Sequence, residues 1–539
     1  MKKCKIVLIR CPQAFLIGEK TGGVYSPNRS ITPEPTLAQL HGIINSTGLP
    51  IHVQQIDLRH PKFGKVKRHT YGHLNLPYAK ETVLKTYSGV ALEEVYDRLS
   101  DADVLGFTSD FTMSRRIVAD HIAWVRQKFP NKEIWVGGRD LFTERVIDVY
   151  TEAGNRKNMV IWHGHVYASL PTYLRWKLTR QGKPFGIDVY SSKGKVTKLP
   201  AIPLTKHASK QKVLEIALPI YPDPSMLDYF IGSAEGQPHP SFGRFVHMTL
   251  TTGCPNDCGY CTTGYRERFL LQKSLETIEK ELKMYRTMGI KTIAIMDDNL
   301  LALGWKKVAK IMNLVNSYDF DIEYGNGLQL SLLDKYWDKY VGPIFNNCVS
   351  LYAPLEDLTQ DRLYNKLHSM NQQLQLMKRI AKEKPGRLKY ITMGVIVGVP
   401  GHTKELLEGN FMLNLAKFLN IFKGSGLKVG ATVFNFITLS GTTFGEEALD
   451  SGRMVVDDPI SADPEVSNFG TPSYAPISMT HEEVYQIYEQ ALNLNPAGCK
   501  LGITYRKLQQ FGERAVPRDE RGKIPPHWRV SGYHLRDEM

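Results

Sequence analysis

The sequence predicts an α/β protein of two successive units. The first is a doubly wound parallel sheet, the second a partial (β/α)6 barrel, with a small mixed region at the C-terminal end. Three observations predict this. The first third alternates short apolar runs with amphipathic stretches, the pattern of a parallel sheet with helices on both faces. A second alternation begins at Arg244 and contains six apolar runs with amphipathic segments between them, the rhythm of a partial barrel. Between the two, roughly residues 185–240 are rich in Pro, Lys, Gly and Ser. Prolines remove backbone donors and fix φ, so Leu218 to Pro224 is neither regular helix nor central sheet and reads as an ordered crossing between domains.

In the first unit Lys5 to Arg10 reads as a strand and Thr36 to Ser46 as a helix after a Pro-rich loop. Ile51 to Leu58 is a second strand and Asp103 to Thr108 a third. Ser114 is placed to cap a helix running to about Phe129, and Glu133 to Val136 is a fourth strand ending in Gly137-Gly138. Ligands on such sheets bind beyond the C-terminal strand ends, where glycines let a flat cofactor approach the backbone. Gly106, Thr108, Gly137 and Gly138 are the candidates there, and a helix-covered sheet with no cofactor is the plain alternative.

In the second unit strands are expected at 245–251, 291–297, 321–325, 348–353, 389–398 and 428–437. Helices fit at 274–289, 304–317, 334–342, 358–383 and 403–420. Chemistry in such barrels sits on the loops after the strands. The expected division is 1–184, a linker 185–240, a barrel 241–450 and a C-terminal region 451–539 on the substrate side.

At 539 residues the chain has room for two large domains or three smaller ones. Its net charge of +14 is compatible with an anionic substrate, a nucleic acid or an acidic partner. Most basic residues are interspersed with acids, and the denser group Arg59, Lys62, Lys65, Lys67, Arg68 reads as a solvated loop. Nucleic acid is therefore not an expected partner. Four of seven cysteines, Cys4, Cys11, Cys348 and Cys499, are too scattered for a disulfide framework, which points to the reducing cytoplasm. Arg10 interrupts the N-terminal apolar run, so a buried first strand is expected there rather than a signal peptide. No apolar stretch approaches the length of a membrane span.

The other three cysteines, Cys254, Cys258 and Cys261, lie in Thr-Thr-Gly-Cys-Pro-Asn-Asp-Cys-Gly-Tyr-Cys, just after the first barrel strand. Thiolates at this spacing can reach three irons of one [4Fe–4S] cluster and leave the fourth iron open. A closed zinc site would want a fourth Cys or His nearby, and none follows. Tyr260 can lay its ring beside whatever binds the open iron. Later strand ends carry further candidates. Asp297 and Asp298 end the second strand, and capping the helix after Leu303 is their alternative role. Asn326 follows the third strand and Glu356 the fourth, where a turn and a helix-start carboxylate are the alternatives. Gly394 to Thr403 ends in a small-residue loop whose Gly398 and Pro400 would let backbone groups contact a flat ring, or form a simple turn.

The cysteine run closely resembles the signature of the radical S-adenosylmethionine (SAM) superfamily. Met296-Asp297-Asp298, Gly398 to Thr403 and Leu439-Ser440-Gly441-Thr442 extend the resemblance to the branch with an N-terminal cobalamin-binding domain. So do the strand ending at Cys11-Pro12, Gly106-Phe107-Thr108 and Gly137-Gly138. The resemblance spans roughly residues 1–450. It implies a Rossmann-like cobalamin-binding unit, a TIM-like radical SAM barrel, and three cofactors: a [4Fe–4S] cluster, SAM and cobalamin. Asp297 and Asp298 would then accept hydrogen bonds from the SAM ammonium or ribose. The implied activity is cleavage of SAM to a 5′-deoxyadenosyl radical and methylation of an unactivated carbon through methylcobalamin. A non-methylating cyclisation, rearrangement or oxidation is the alternative.

The substrate would be a small molecule or peptide, and the electron donor a flavodoxin or ferredoxin. A radical methylthiotransferase acting on tRNA is a further rival; members of that family carry extra N-terminal cysteines for a second cluster and a C-terminal RNA-binding module, whereas here only Cys4 and Cys11 are N-terminal, which argues against it. A non-catalytic iron–sulfur or corrinoid-binding partner protein is a further reading. The chain departs from the branch at Thr252, often Arg there, at Arg139-Asp140, often Pro-His, and at His163-Gly164-His165, often a Gly-Glu-Gly-Glu-like loop. It also lacks an Asp-x-His-x-x-Gly motif for a lower cobalt ligand.

Overall fold

The computed structural model describes residues 3–20, 35–109, 114–200, 216–222, 245–263, 270–359, 368–455 and 472–494, apart from positions 13, 80, 139, 140, 142 and 440. Most of the expected linker, Arg139-Asp140, Ser440, Cys499 and everything after residue 494 lie outside the described residues.

Among the described residues the first unit holds ten strands: β1 Cys4–Arg10, β2 Ala14–Gly18, β3 Ile51–Asp57, β4 Lys67–Leu74, β5 Val83–Gly89, β6 Val104–Thr108, β7 Glu133–Gly137, β8 Met159–Trp162, β9 Ile187–Tyr190 and β10 Val196–Leu199. Seven make one sheet in the order β10-β9-β8-β7-β6-β1-β3. It is parallel from β3 to β8, with β9 and β10 antiparallel at one edge. Successive β1 side chains enter opposite cores. Ile6 and Leu8 meet Leu37 and Ile43 of helix Pro35–Ser46, while Val7 and Ile9 meet Ile117 and Val118 of helix Arg115–Lys128. Both faces are covered, so the central strands are apolar throughout rather than alternating.

The structure corrects several expectations for this unit. β9 and β10 fall inside the expected linker but extend the sheet. A separate antiparallel sheet, β2-β5-β4, was not anticipated. Its outer strand β4 takes up Lys67, Arg68 and His69 of the stretch read as a loop, whose polarity hid a strand with one largely solvated face. Arg59, from the same stretch, is buried rather than solvated, in a two-bonded pair with Asp57 at 2.7 and 2.6 Å. Ser114 stands at the helix start but makes no capping bond with its side chain.

The second unit contributes β11 Phe245–Met248, β12 Thr251–Thr252, β13 Leu271–Gln272, β14 Thr292–Ile295, β15 Asp321–Tyr324, β16 Cys348–Glu356, β17 Tyr390–Val397 and β18 Lys428–Asn435. Six of them pair in chain order, β11-β14-β15-β16-β17-β18, all parallel, as an open arc. Helices Leu275–Thr287, Trp305–Asn316, Trp337–Phe345, Met370–Glu383 and Met412–Ile421 cover its outside. The expected helix over 403–420 begins instead as a wider π turn at Leu406–Phe411.

The region after residue 450 is not only a substrate-side appendage. Helix His481–Asn493 starts with a capping box between Thr480 and Glu483. It inserts Val484, Ile487, Tyr488 and Ala491 into the same core as Val395 and Val433. Its Tyr485 stacks on Tyr78 from the first unit, ring centres 4.8 Å apart. Among the described residues no helix is long and apolar enough to cross a membrane.

Candidate functional site

The cysteine loop leaves and re-enters the barrel mouth through the β12–β13 ladder, which pairs Thr251 with Gln272 and Thr252 with Leu271. Two carboxylates from the end of β14 hold its root. Asp297 accepts from Leu250 N at 2.7 Å, Thr251 N at 2.9 Å and the Thr251 hydroxyl at 2.7 Å. Asp298 accepts from Gly253 N at 2.9 Å, and Gly253 takes a φ of +94° that suits glycine. The helix expected to be capped by these acids has Gly304 at its N-cap, so the pair clamps the loop rather than the helix. Asp297 is 3% exposed. Burial raises its pKa to about 7, against the pull of the Thr251 and Leu250 donors.

None of the three cysteines is in a disulfide; Cys258 is buried and the others half-buried. Cys261 N donates to Cys258 O at 2.9 Å, turning the last part of the loop. Burial raises the Cys254 thiol, while hydrogen bonds from the Asn256 backbone and the Asn299 side chain lower it. Asn299 Nδ2 lies 3.6 Å from Cys254 Sγ. Among the described residues no three His, Cys, Asp or Glu side chains are gathered around one metal position. The donor set itself, three thiols on one short loop with N–H groups aimed at a sulfur, fits a thiolate-held iron–sulfur cluster.

Tyr260 donates its hydroxyl to Glu356, and burial raises its pKa well above that of a free phenol. Its ring packs in a cluster with Val399, Phe436, Phe444 and Tyr474. Glu356 follows a register shift at the end of β16 and sits at φ +66°, a sparsely populated conformation for a residue with a side chain. The loop after β18 closes on the cysteines: Phe444 N donates to Gly259 O at 2.9 Å. A Cβ on Gly259 would press on the Phe444 ring at 3.1 Å.

The remaining barrel candidates stand further round the mouth. Asn326 is exposed, its Nδ2 donating to Met296 O at 2.9 Å. Gly398, at φ +77°, leaves room for the C-terminal helix, since a Cβ there would come within 3.0 Å of Val484 Cγ1. Pro400 lies in a turn closed by His402 N to Val399 O at 3.1 Å. The structure thus brings Tyr260, Glu356, Asp297 and Asp298 around the cysteine loop, and places Gly398 against the C-terminal helix with Pro400 in the turn just after it. Asn299, Gln329 and Phe444 were missed, and His402 was noted only as part of the Gly398 to Thr403 run, with no role assigned. Of the missed three, only Asn299 carried a signal, as the next residue after the paired acids.

On the first sheet, connections depart in opposite directions from the gap between β1 and β6, the position where ligands settle on doubly wound sheets. Thr108 ends β6 there and accepts from the buried Arg10 guanidinium at 3.3 Å. Gly137 and Gly138 are beside it, with Ser109 N donating to Gly137 O at 2.8 Å. Gly138 takes a φ of +141°, and a Cβ on it would collide with the Ser109 backbone. Gly106 differs: it lies inside β6, where a side chain would press on Leu8 at 3.1 Å.

Residues 248–410 match the family model of the radical SAM superfamily. Among curated proteins, tRNA-2-methylthio-N(6)-dimethylallyladenosine synthase of Lawsonia intracellularis is 22% identical over 197 residues, 33% of this chain and 41% of that protein. The synthase of the same name from Clostridium botulinum (strain Eklund 17B / Type B) is 27% identical over 186 residues, 32% and 38% of the two chains. The chain therefore spans about two fifths of the length of these curated relatives. Among solved structures, the radical SAM methyltransferase TsrM from Kitasatospora setae, bound to tryptophan substrate and a SAM analogue, superposes with a TM-score of 0.58 at 11% identity, covering 91% of this chain and 88% of that one. The cobalamin-dependent SAM radical enzyme OxsB, with aqua-cobalamin and SAM bound, gives 0.54 at 13% identity over 100% and 65%. At these identities the likeness is one of fold.

Proposed function

We propose that this chain, which carries a radical SAM domain over residues 248–410, is a corrinoid-assisted radical SAM methyltransferase acting on an unactivated carbon. One observation carries the reading: Cys254, Cys258 and Cys261 share a single loop at the C-terminal mouth of a six-strand parallel arc, its root clamped by Asp297 and Asp298. When bound, a [4Fe–4S] cluster there supplies the electron that cleaves SAM, and cobalamin on the first sheet supplies the methyl group. The three cysteines would hold the cluster. Tyr260 and Glu356 would border its open side, with Asn326 and the Gly398-Pro400 loop further round the mouth. Asp297 acts through the loop it holds rather than on SAM directly, because both its oxygens are engaged by Leu250 and Thr251. Thr108, Gly137 and Gly138 would line the corrinoid's edge, and Gly106 serves packing. The fold shared with TsrM, also solved with cobalamin and a [4Fe–4S] cluster bound, and with OxsB supports the corrinoid assignment.

We place the domain boundary near residue 200, after β10. The reductant would be a flavodoxin or ferredoxin, the compartment the cytoplasm, and the substrate a small molecule or peptide suited to a basic chain. A tRNA methylthiotransferase is less well supported. The likeness to those enzymes covers a third of the chain, and of the two N-terminal cysteines Cys11 is 1% exposed, burial pushing its thiol to about 12. Such a thiol is inert and poorly placed to hold a second cluster.

Anaerobically reconstituted protein, reduced in the presence of SAM and cobalamin, tests the reading. We expect about four irons per chain, a bound-corrinoid absorption spectrum, and SAM turnover that Cys258→Ala abolishes. If the wild-type chain assembles no cluster or turns over no SAM, the reading fails; if it turns over SAM but binds no corrinoid, the non-methylating alternative takes its place.

A further inference from the structure

Asn299 is 4% exposed and lies beside the first cysteine of the loop. Its carboxamide nitrogen has two protons and two acceptors: Cys254 Sγ at 3.6 Å and Gln329 Oε1 at 2.8 Å. Gln329 is oriented in turn. Its Nε2 donates to the Ser331 hydroxyl at 3.0 Å, which leaves Oε1 to receive both Asn299 and, at 3.2 Å, Asn256 Nδ2 from within the cysteine loop. The Asn299 oxygen is buried and finds no hydrogen-bond partner among the described residues. A buried, unsatisfied carbonyl costs on the order of 1–3 kcal/mol, and such a group in a folded protein calls for a reason. A flipped amide would turn its oxygen toward the sulfur and Gln329 Oε1, both acceptors. The arrangement gives up the oxygen to keep an N–H on the sulfur.

We propose that Asn299, oriented by Gln329, is a positioning and tuning residue for the redox centre: its N–H raises the reduction potential of a cluster held by Cys254. This rests on the reading that the three cysteines hold a [4Fe–4S] cluster. Reduction adds one electron, and the added negative charge is shared with the ligating sulfurs. A donor on one sulfur stabilises the reduced form more than the oxidised form, so removing it moves the potential down.

The test is a dithionite titration of reconstituted wild-type, Asn299→Ala and Gln329→Leu chains, following the reduced-cluster signal by electron paramagnetic resonance, with iron content measured on each. We expect a more negative midpoint in Asn299→Ala and a smaller shift of the same sign in Gln329→Leu, which leaves the sulfur untouched but frees the amide. A wild-type midpoint in either cluster-loaded variant overturns the proposal. Failure of both variants to load a cluster also overturns it, making the network a structural brace. A wild-type chain that loads no cluster sinks the underlying functional reading instead.

Discussion

His402 Nε2 stands 3.3 Å from the Asp357 carboxylate, with both side chains sealed from solvent at 0% and 1% exposure. The pair joins the loop after β17 to the residue next to Glu356, which carries the strained backbone. Thr359 completes it, its N–H and hydroxyl both donating to the same Asp357 oxygen at 2.7 Å. Removing one member takes a polar partner from a buried group. We expect His402→Ala and Thr359→Ala each to lower stability by about 1–3 kcal/mol, read from urea unfolding. Equal, near-zero effects would mean that the contact does not couple the two loops.

Asp297 gives the fold a pH dependence with a definite sign. Its folded pKa, about 7, lies above the roughly 4 of an unfolded aspartate. Folding therefore favours the protonated form. The stabilisation is fully present below about pH 4 and is lost as pH rises toward about 7. In Asp297→Asn that term is absent, so the stability difference between wild type and variant should shrink from pH 4.5 to pH 7.5 (pH values chosen to span roughly that window). A difference that stays constant across these buffers would refute the assignment.

Gly138→Ala should be severe. At φ +141° with the Ser109 backbone against it, the new methyl group has nowhere to go. We expect a loss of at least about 2 kcal/mol, confined to the first unit, together with weakened binding of added cobalamin followed by absorption. Gly137→Ala meets only Trp162 at 3.5 Å, an ordinary contact, and should be mild.

Tyr260→Phe keeps the ring in its aromatic cluster and removes only the hydroxyl that Glu356 accepts. About 1 kcal/mol of stability should go with it, with iron content unchanged. Tyr260→Ala empties the cluster as well and should cost about 3 kcal/mol or more. Comparable losses from the two variants would show that the hydroxyl, not the ring, anchors the loop.

Much of this architecture was legible before folding. Apolar periodicity located the central strands β1, β3, β6 and β7 and the six barrel strands to within a few residues, since that pattern is local and burial on both faces makes it continuous. β4 escaped because Lys67, Arg68 and His69 leave it without an apolar face, and β9 and β10 because four-residue edge strands hardly exceed turn length.

The sequence by itself determined the two α/β units and the donor set of the site, because strand alternation and the spacing of Cys254, Cys258 and Cys261 are properties of a short stretch of chain. Only the tertiary structure decided what surrounds them. Asp297 and Thr251 are 46 residues apart, Asn299 and Cys254 are 45 apart, and helix His481–Asn493 packs on β17 and β18. Whether a carboxylate meets a ligand or a backbone N–H depends on which strand end lies beside it. That is set by sheet order and burial, and no local pattern in the chain encodes it.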